Sequence, residues 1–264
     1  MTSAHPDLLA TIVAATRRIT DVRRSARPAS ALAREQVREP RGEAFADALR
    51  TGPSPRIIAE CKRRSPSRGV LREDYRPVEH AVAYAKAGAA AVSVITEPTF
   101  FDGAPGHLAA VRAAVDLPLL RKDFIISEYQ LLEAAVLGAD AVLLIVGALE
   151  PAELAGLLET ARAMRLASLV EVHDLSELQV ALDAGADIVG VNSRNLRTLE
   201  VNISVLDRVA ETLPRELTAV AESGIRQAAD VRRLAAAGYR AFLVGERLIG
   251  APDPGAALRE LRHP

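Results

Sequence analysis

From residue 55 onward, short apolar runs alternate with longer amphipathic segments. The apolar runs are rich in Val, Ile and Leu on both faces, as is typical of parallel strands covered by helices. The pattern predicts eight strands: Arg56–Lys62, Ala90–Thr96, Leu119–Lys122, Ala141–Val146, Ser168–Val172, Ile188–Asn192, Thr218–Ala221 and Ala241–Val244.

A short glycine-containing motif recurs before every second predicted strand. Its glycines are Gly88, Gly138, Gly185 and Gly238. Each suits the left-handed end of a helix, and a spacing of about 50 residues matches one copy per two strand–helix units. Four copies predict an α/β fold, a single closed (β/α)8 TIM barrel. The alternative is a doubly wound open sheet, but the first strand lacks the glycine-rich turn of dinucleotide-binding folds.

Residues 7 to 50 show helical periodicity, many arginines and no β-rich run. They predict two or three helices, broken at Pro28 and Pro40. We therefore expect residues 1–50 to form an N-terminal helical extension that packs on the barrel, and residues 51–264 to form the catalytic barrel. The extension is interpreted either as a packing appendage or as a flap over the active site.

Composition narrows the class of protein. The 264 residues are 49% hydrophobic and 25% charged, with a formal net charge of −1, which gives no indication of nucleic-acid or membrane binding. Cys61 is the one cysteine and the five histidines lack ligand spacing, so neither a disulfide nor a structural metal is expected. Without a signal or membrane segment, we expect a cytoplasmic protein, monomeric or weakly homo-oligomeric, that binds small molecules.

Polar residues gather at the predicted carboxyl ends of the strands, where barrels of this kind carry their active sites. Side chains alternate along a strand, so Glu60 and Lys62 are expected to point inward and Cys61 toward the helices. Five further polar residues end or follow other strands: Lys122, Glu171, Asn192, Arg194 and Glu222. A buried ion network usually stabilises a protein no more than apolar side chains of similar volume would. A purely structural role therefore does not explain this set, which predicts catalytic chemistry.

The last two strands are followed by Ser223-Gly224 and Gly245-Glu246. Backbone amides exposed by glycines in these loops are the common phosphate cradle of the barrel fold. Ser65 in the first loop is a further candidate donor, although its surroundings could equally form a plain turn. The site as a whole favours acid–base chemistry on a phosphorylated metabolite, without a metal or any other cofactor.

Five segments resemble those of the indole-3-glycerol-phosphate synthase family. They are, in chain order, IAECKRRSPS (58–67), TEPTFF (96–101), LRKDF (120–124), NSRNL (192–196) and AESGI (221–225). The similarity extends from about residue 55 to 250, and the set is highly specific. The N-terminal helices resemble the family's extension ahead of the barrel less diagnostically.

The resemblance implies one reaction of tryptophan biosynthesis. A single-function carboxy-lyase would convert 1-(2-carboxyphenylamino)-1-deoxyribulose 5-phosphate to indole-3-glycerol phosphate, releasing carbon dioxide and water. Lys122 is expected to be the general acid that protonates the substrate carbonyl as the aromatic carbon attacks. Lys62 is expected to hold the carboxylate that is later lost.

The resemblance also implies roles for the other site residues. Glu171 is expected to act in the dehydration, with Asn192 orienting it or the substrate hydroxyls, while Glu60 and Glu222 position the lysines and bind hydroxyls. Phe101 and Phe124 are expected to line the anthranilate pocket. The remaining positions are expected to serve the phosphate or the ribulose chain: Ser65, Arg194, Ser223, Gly224, Gly245 and Glu246.

Two other readings remain open from the residues. Another phosphate-binding barrel, such as an isomerase of phosphoribosyl intermediates, would explain the glycines after strands seven and eight. It would not explain two inward lysines together with three inward glutamates. A non-catalytic ligand-binding or assembly subunit would retain the pocket but should have lost a catalytic group.

Overall fold

The N-terminal part of the chain is helical. In the computed structural model, which describes residues 7–36 and 38–262, α1 (Leu8–Ala26), α2 (Ala29–Ala33) and α3 (Gly42–Arg50) precede the first strand. The Asp7 side chain caps α1 by accepting a hydrogen bond from a first-turn backbone N–H. Pro28 separates α1 from α2, as predicted.

The strands alternate with helices along the chain. In order they are β1 (Arg56–Cys61), β2 (Arg64–Ser65), β3 (Gly69–Val70), β4 (Ala91–Ile95), β5 (Leu119–Lys122), β6 (Ala141–Ile145), β7 (Ala167–Val172), β8 (Ile188–Asn192), β9 (Thr218–Glu222) and β10 (Ala241–Val244). The barrel strands agree with the predicted ones to within one residue at each end. Strands β2 and β3 form a small antiparallel hairpin in the first loop, which was not predicted.

Within residues 7–36 and 38–262, eight parallel strands close into a barrel in the order β1-β10-β9-β8-β7-β6-β5-β4. The pairing of β1 with β10, in which Arg56 lies opposite Ala241, closes the sheet. This pairing confirms the predicted (β/α)8 barrel and shows that the alternative of an open sheet was wrong.

Helices cover the outside of the barrel. They are α4 (Pro77–Lys86), α5 (Pro105–Ala114), α6 (Glu128–Val136), a 3₁₀ turn (Val146–Ala148), α7 (Pro151–Ala163), α8 (Leu175–Asp183), α9 (Ser204–Ala210), α10 (Ala228–Ala236), α11 (Glu246–Ile249) and α12 (Pro254–Arg262). The repeated glycines just after α4, α6, α8 and α10 have φ values of 84°, 87°, 80° and 111°. These values lie in the left-handed region and confirm the predicted helix ends.

Helix α3 packs across the amino-terminal end of the barrel. Its Phe45 and Leu49 are fully buried in the apolar cluster that fills the barrel interior. Arg50, at the end of α3, donates a hydrogen bond from Nε to Oγ1 of Thr218, the first residue of β9, over 2.8 Å. The base of the barrel is thereby closed by a segment that precedes it in sequence.

Helix α1 packs at the opposite end. Leu9 and Ile12 are buried in the same interior cluster as Phe124, which follows β5, and Ile145, which ends β6. The hydroxyl of Tyr129 on α6 donates a hydrogen bond to the carbonyl oxygen of Arg27, the residue that follows α1, over 3.0 Å. The N-terminal helices therefore contact the barrel at both ends.

The predicted division into residues 1–50 and 51–264 stays a prediction. Residues 1–6, 37 and 263–264 lie outside the described residues. No helix in the described ranges is both long enough and apolar enough to cross a membrane.

A fully buried arginine links the second and third barrel strands to α6. The guanidinium of Arg121 donates to Oγ1 of Thr96 (3.1 Å), the carbonyl of Gln130 (2.9 Å), Oδ2 of Asp123 (3.0 Å) and Oε2 of Glu133 (3.1 Å). Because Arg121 precedes Lys122 on β5, its side chain points to the helix layer while that of Lys122 enters the barrel.

Candidate active site

The carboxyl ends of the barrel strands surround a cavity of about 560 Å³. All residues that the sequence predicted for the site line it: Glu60, Lys62, Ser65, Phe101, Lys122, Phe124, Glu171, Asn192, Arg194, Glu222, Ser223, Gly224, Gly245 and Glu246. Groups that are far apart in sequence thus share one opening. Their individual roles stay predictions.

Lys122, at the end of β5, lies between two carboxylates. Its Nζ is 3.2 Å from Oε2 of Glu171 and 3.6 Å from Oε2 of Glu222. Burial by itself would lower the pKa of Lys122, but Glu171, Glu222 and Glu60 outweigh it and raise that pKa above its usual value. Lys122 is therefore an ammonium group at neutral pH.

Glu171, on β7, is buried and faces two cations. Lys122 lies near Oε2, and Nε2 of His173 lies 3.4 Å from Oε1. Burial opposes ionisation, but Lys122 and then His173 outweigh it and hold the pKa of Glu171 well below its usual value. His173 was not predicted as a site residue, although its position two residues beyond Glu171 places it on the same face of the chain.

Glu222, at the end of β9, is harder to ionise than Glu171. Burial raises the pKa of Glu222; Lys122 opposes this effect, and the neighbouring Glu171 adds to it. Within the described part of the chain, Oε1 of Glu222 has no hydrogen-bond partner. It packs directly over Gly190 of β8, where even a methyl group would overlap it. Glu171 and Glu222 thus differ in charge preference although both face Lys122.

A second lysine–glutamate pair ends β1. Nζ of Lys62 lies 2.7 Å from Oε1 of Glu60, which is almost fully buried. Gly245 packs against this pair, because a Cβ atom there would overlap Oε1 of Glu60 and lie 3.1 Å from Nζ of Lys62. Cys61 faces the helix layer, where burial raises the pKa of its thiol. As expected from strand alternation, the thiol does not face the cavity.

Lysine is rare in this protein. The chain has three lysines among 33 basic residues, and two of them, Lys62 and Lys122, line the cavity. The third, Lys86, is exposed at the end of α4. Arginine is always protonated in proteins, whereas a lysine can give up its proton when its surroundings change. Besides the arginines of its rim, the cavity thus holds two cations of the type that can transfer protons.

Two phenylalanines form the apolar wall of the cavity. The ring centroids of Phe101 and Phe124 are 6.2 Å apart. The buried carboxylate of Glu97 accepts hydrogen bonds from the backbone N–H groups of Thr99 (2.8 Å), Phe100 (2.7 Å) and Phe101 (3.1 Å). Glu97 therefore fixes the loop that carries Phe101. Glu97 was not predicted as a site residue, and its one signal in the sequence is an acid just before a turn.

The opposite rim is polar. Arg194 donates from Nη2 to Oε1 of Glu246 over 2.8 Å and from Nη1 to Oγ of Ser67 over 3.0 Å. Arg68 lies 3.3 Å from the other carboxylate oxygen of Glu246. Glu246 therefore holds two arginines at the rim, which connects the loops after β1, β8 and β10.

These observations define a class of protein. It is a (β/α)8-barrel enzyme in which lysine–glutamate ion pairs and an apolar wall line one cavity at the carboxyl ends of the strands. In the described ranges, no three His, Cys, Asp or Glu side chains are grouped so that they could hold a metal ion.

Comparison with known proteins identifies the family. A family model described as indole-3-glycerol phosphate synthase matches residues 9–261. Indole-3-glycerol phosphate synthase 2 of Streptomyces coelicolor is 50% identical over 254 residues, which cover 96% of this chain and 98% of that protein. The indole-3-glycerol phosphate synthase of Azoarcus sp. is 44% identical over 262 residues, covering 97% and 98%. The chain belongs to the indole-3-glycerol phosphate synthase family, which confirms the resemblance seen in the sequence.

Solved structures agree on the fold. A 3-hexulose-6-phosphate synthase superimposes with a TM-score of 0.65 and 18% identity, covering 78% of this chain and 98% of that one. A thiamine phosphate pyrophosphorylase from Pyrococcus furiosus has a TM-score of 0.60 and 21% identity, covering 78% and 93%. At these identities the likeness concerns the barrel and not the reaction.

Proposed function

We propose that this protein catalyses the ring closure of 1-(2-carboxyphenylamino)-1-deoxyribulose 5-phosphate to indole-3-glycerol phosphate, with loss of carbon dioxide and water. The family membership supports this reaction. The observation that carries it is the partly buried ammonium group of Lys122, which lies between Glu171 and Glu222 in the same cavity as the phenylalanine wall.

Lys122 is the general acid of the first step. Attack of the aromatic carbon disrupts aromaticity and places negative charge on the substrate carbonyl oxygen, so a proton donor held in line lowers the barrier. The raised pKa of Lys122 keeps it protonated until the substrate arrives. Phe101 and Phe124 pack against the anthranilate ring and exclude water from this step.

The later steps use the other charged groups. Lys62, held by Glu60, binds the carboxylate that leaves as carbon dioxide. Glu171 is the base of the dehydration because its depressed pKa keeps it ionised, and Asn192 orients it or the substrate hydroxyls. Glu222 helps to position Lys122 and binds a hydroxyl group.

The phosphate and the ribulose chain occupy the polar side of the cavity. The backbone of the turns after β9 and β10 and the hydroxyls of the first loop supply donors there. The residues concerned are Ser65, Arg194, Ser223, Gly224, Gly245 and Glu246. A cytoplasmic location, a monomeric or weakly oligomeric state, and an extension over residues 1–50 that braces a catalytic barrel complete the proposal.

The first test replaces the proposed acid. Lys122→Ala is expected to lower kcat by about 10²- to 10⁴-fold, the range typical of general acids, while the circular dichroism spectrum stays unchanged. The measurement is the rise of indole fluorescence after mixing purified protein with the ribulose phosphate substrate.

The matched control is Lys86→Ala, which removes the exposed lysine and is expected to leave kcat unchanged. Ring closure at the wild-type rate in Lys122→Ala would refute the assignment of the acid. A wild-type protein that binds the substrate without forming indole would instead be a binding subunit.

A further inference from the structure

A histidine next to the cavity-lining Glu171 has no role in the proposed steps. His173 follows β7 directly, and its side chain is 14% exposed. Its two ring nitrogens face different carboxylates. Nε2 lies 3.4 Å from Oε1 of Glu171, and Nδ1 lies 3.0 Å from Oε2 of Glu177.

Glu177 fixes the orientation of the imidazole ring. The backbone N–H of His173 also donates to Oε2 of Glu177, over 2.8 Å. Glu177 itself lies in the first turn of α8, where its backbone N–H donates to the capping Asp174 over 2.9 Å. An ionised carboxylate can only accept hydrogen bonds, so Nδ1 of His173 carries a hydrogen. Nε2 lies at ion-pair distance from Glu171 and, within the described residues, has no hydrogen-bond partner.

The two oxygens of Glu171 are therefore held separately. Oε2 faces Lys122 at 3.2 Å, and Oε1 faces Nε2 of His173. If Lys122 turns toward a substrate carbonyl, His173 still holds the carboxylate in place. We propose that His173 is a positioning residue that holds Oε1 of Glu171 and leaves Oε2 directed at Lys122 and the substrate. This inference rests on the proposed function, in which Glu171 is the base of the dehydration.

The charges around the pair agree with this arrangement. Burial by itself would lower the pKa of His173, but Glu171 and Glu177 outweigh it and raise that pKa to about 10. The ring is thus an imidazolium at neutral pH and stabilises the ionised form of Glu171.

The other groups that act on Glu171 come from neighbouring strands. They are Lys122 from β5, Asn192 from β8 and Glu222 from β9, with Glu60 of β1 acting on Lys122 and Glu222. Loss of the imidazolium leaves Glu171 with one cation instead of two. Its pKa then rises, and the acidic limb of the kcat profile moves to higher pH.

The test compares His173→Leu, His173→Gln and the wild type. His173→Leu is expected to lower kcat by about 10- to 100-fold, the effect of a base displaced by about 1 Å, with KM changed less than about twofold. The acidic limb of the kcat profile of His173→Leu is expected to lie at higher pH than that of the wild type. His173→Gln restores a neutral N–H donor, so kcat is expected to recover in part while the limb stays shifted.

The matched control is His107→Leu, which replaces a partly buried histidine on α5 that packs against Tyr75 and does not contact Glu171. It is expected to leave both kcat and the pH profile unchanged. Wild-type kcat and an unshifted limb in His173→Leu, with only the melting temperature lowered, would show a purely structural role and overturn the proposal.

A measurement without turnover separates this inference from the proposed function. In ¹⁵N NMR spectra, the His173 ring is expected to stay protonated well above pH 7, and Glu177→Gln is expected to lower the pH at which it deprotonates. A ring that is neutral at pH 7 in the wild type would overturn the inference even if indole forms. A wild type that forms no indole would refute the proposed function, whatever the NMR result.

Discussion

At the scale of single residues, two glycines determine how closely the carboxylates can pack against the barrel wall. Gly190 of β8 lies directly under Oε1 of Glu222, and Gly245 lies beside Glu60 and Lys62. A glycine inside a strand usually weakens it, and its presence often marks a close approach of another group. Here the approaching groups are the acids of the site, so space and not backbone conformation requires the glycines.

Gly190→Ala is expected to displace Glu222 because the added methyl group overlaps its Oε1 atom. Since Glu222 lies 3.6 Å from Lys122, kcat should fall by about tenfold or more, in line with the effect of small displacements in active sites. Steady-state kinetics by indole fluorescence measures this change.

Gly156→Ala is the matched control for this substitution. Gly156 lies within α7 and has open space where a Cβ atom would be. Alanine there is expected to leave kcat unchanged and to stabilise the helix by about 0.5–1 kcal/mol. Equal kinetics in the two variants would contradict the proposed contact of Gly190 with Glu222.

The alternation of side chains along strands was sufficient to predict which polar residues gather at the cavity. It could not reveal Glu97, because that carboxylate binds its own loop and belongs to no periodic pattern. It also could not reveal Gly190, because the need for a missing side chain arises from Glu222 on another strand.

At the scale of elements, β5 carries charge on both of its faces. Lys122 enters the cavity, and the preceding Arg121 lies buried between β5 and α6, where Asp123 and Glu133 accept its hydrogen bonds. Asp123 in turn accepts a hydrogen bond from the backbone N–H of Phe124 over 2.9 Å. The network on the outer face thus fixes the backbone that presents the acid and the aromatic wall.

Arg121→Met is expected to destabilise the protein by about 3–5 kcal/mol, because it removes the cation that the buried Asp123 and Glu133 share and leaves Glu133 with only Arg23, at 3.6 Å. Urea denaturation followed by circular dichroism measures the loss. Arg24→Ala provides the comparison, since it removes an exposed ion pair with Asp21 on α1 that contributes less than about 1 kcal/mol. Similar denaturation midpoints for the two variants would show that the buried network is not needed for stability.

The eight strands of the barrel were predicted almost to the residue, whereas the hairpin of β2 and β3 was not. Each of its strands has two residues, too few for any periodicity to appear. Its turn instead depends on Gly69, whose φ of 69° is in the left-handed region.

At the scale of the whole molecule, the N-terminal helices hold the barrel from both ends. Helix α3 buries Phe45 at the base, while α1 buries Ile12 in the interior cluster that also contains Phe124. The helical pattern predicted the helices themselves. It could not place them at opposite ends, because such contacts join residues more than 100 positions apart.

Ile12→Ala and Phe45→Ala are both expected to destabilise the protein, but only Ile12→Ala is expected to change KM. Each leaves a cavity in the interior cluster and should cost about 2–5 kcal/mol. Ile12→Ala should also raise KM, because it removes support from the wall that contains Phe124, whereas Phe45→Ala should leave KM unchanged. Urea midpoints and KM values check both points; equal KM values in the two variants would show that α1 does not support the pocket.

The scarcity of lysine has a practical consequence for chemical labelling. Surface cations of this protein are almost entirely guanidinium groups, which do not react with amine-selective acylating reagents. Apart from the α-amino group and Lys86, such a reagent meets amines only at Lys62 and Lys122 inside the cavity. With so few sites, each can be resolved by mass spectrometry, and protection of Lys62 relative to the exposed Lys86 would report on occupancy of the cavity.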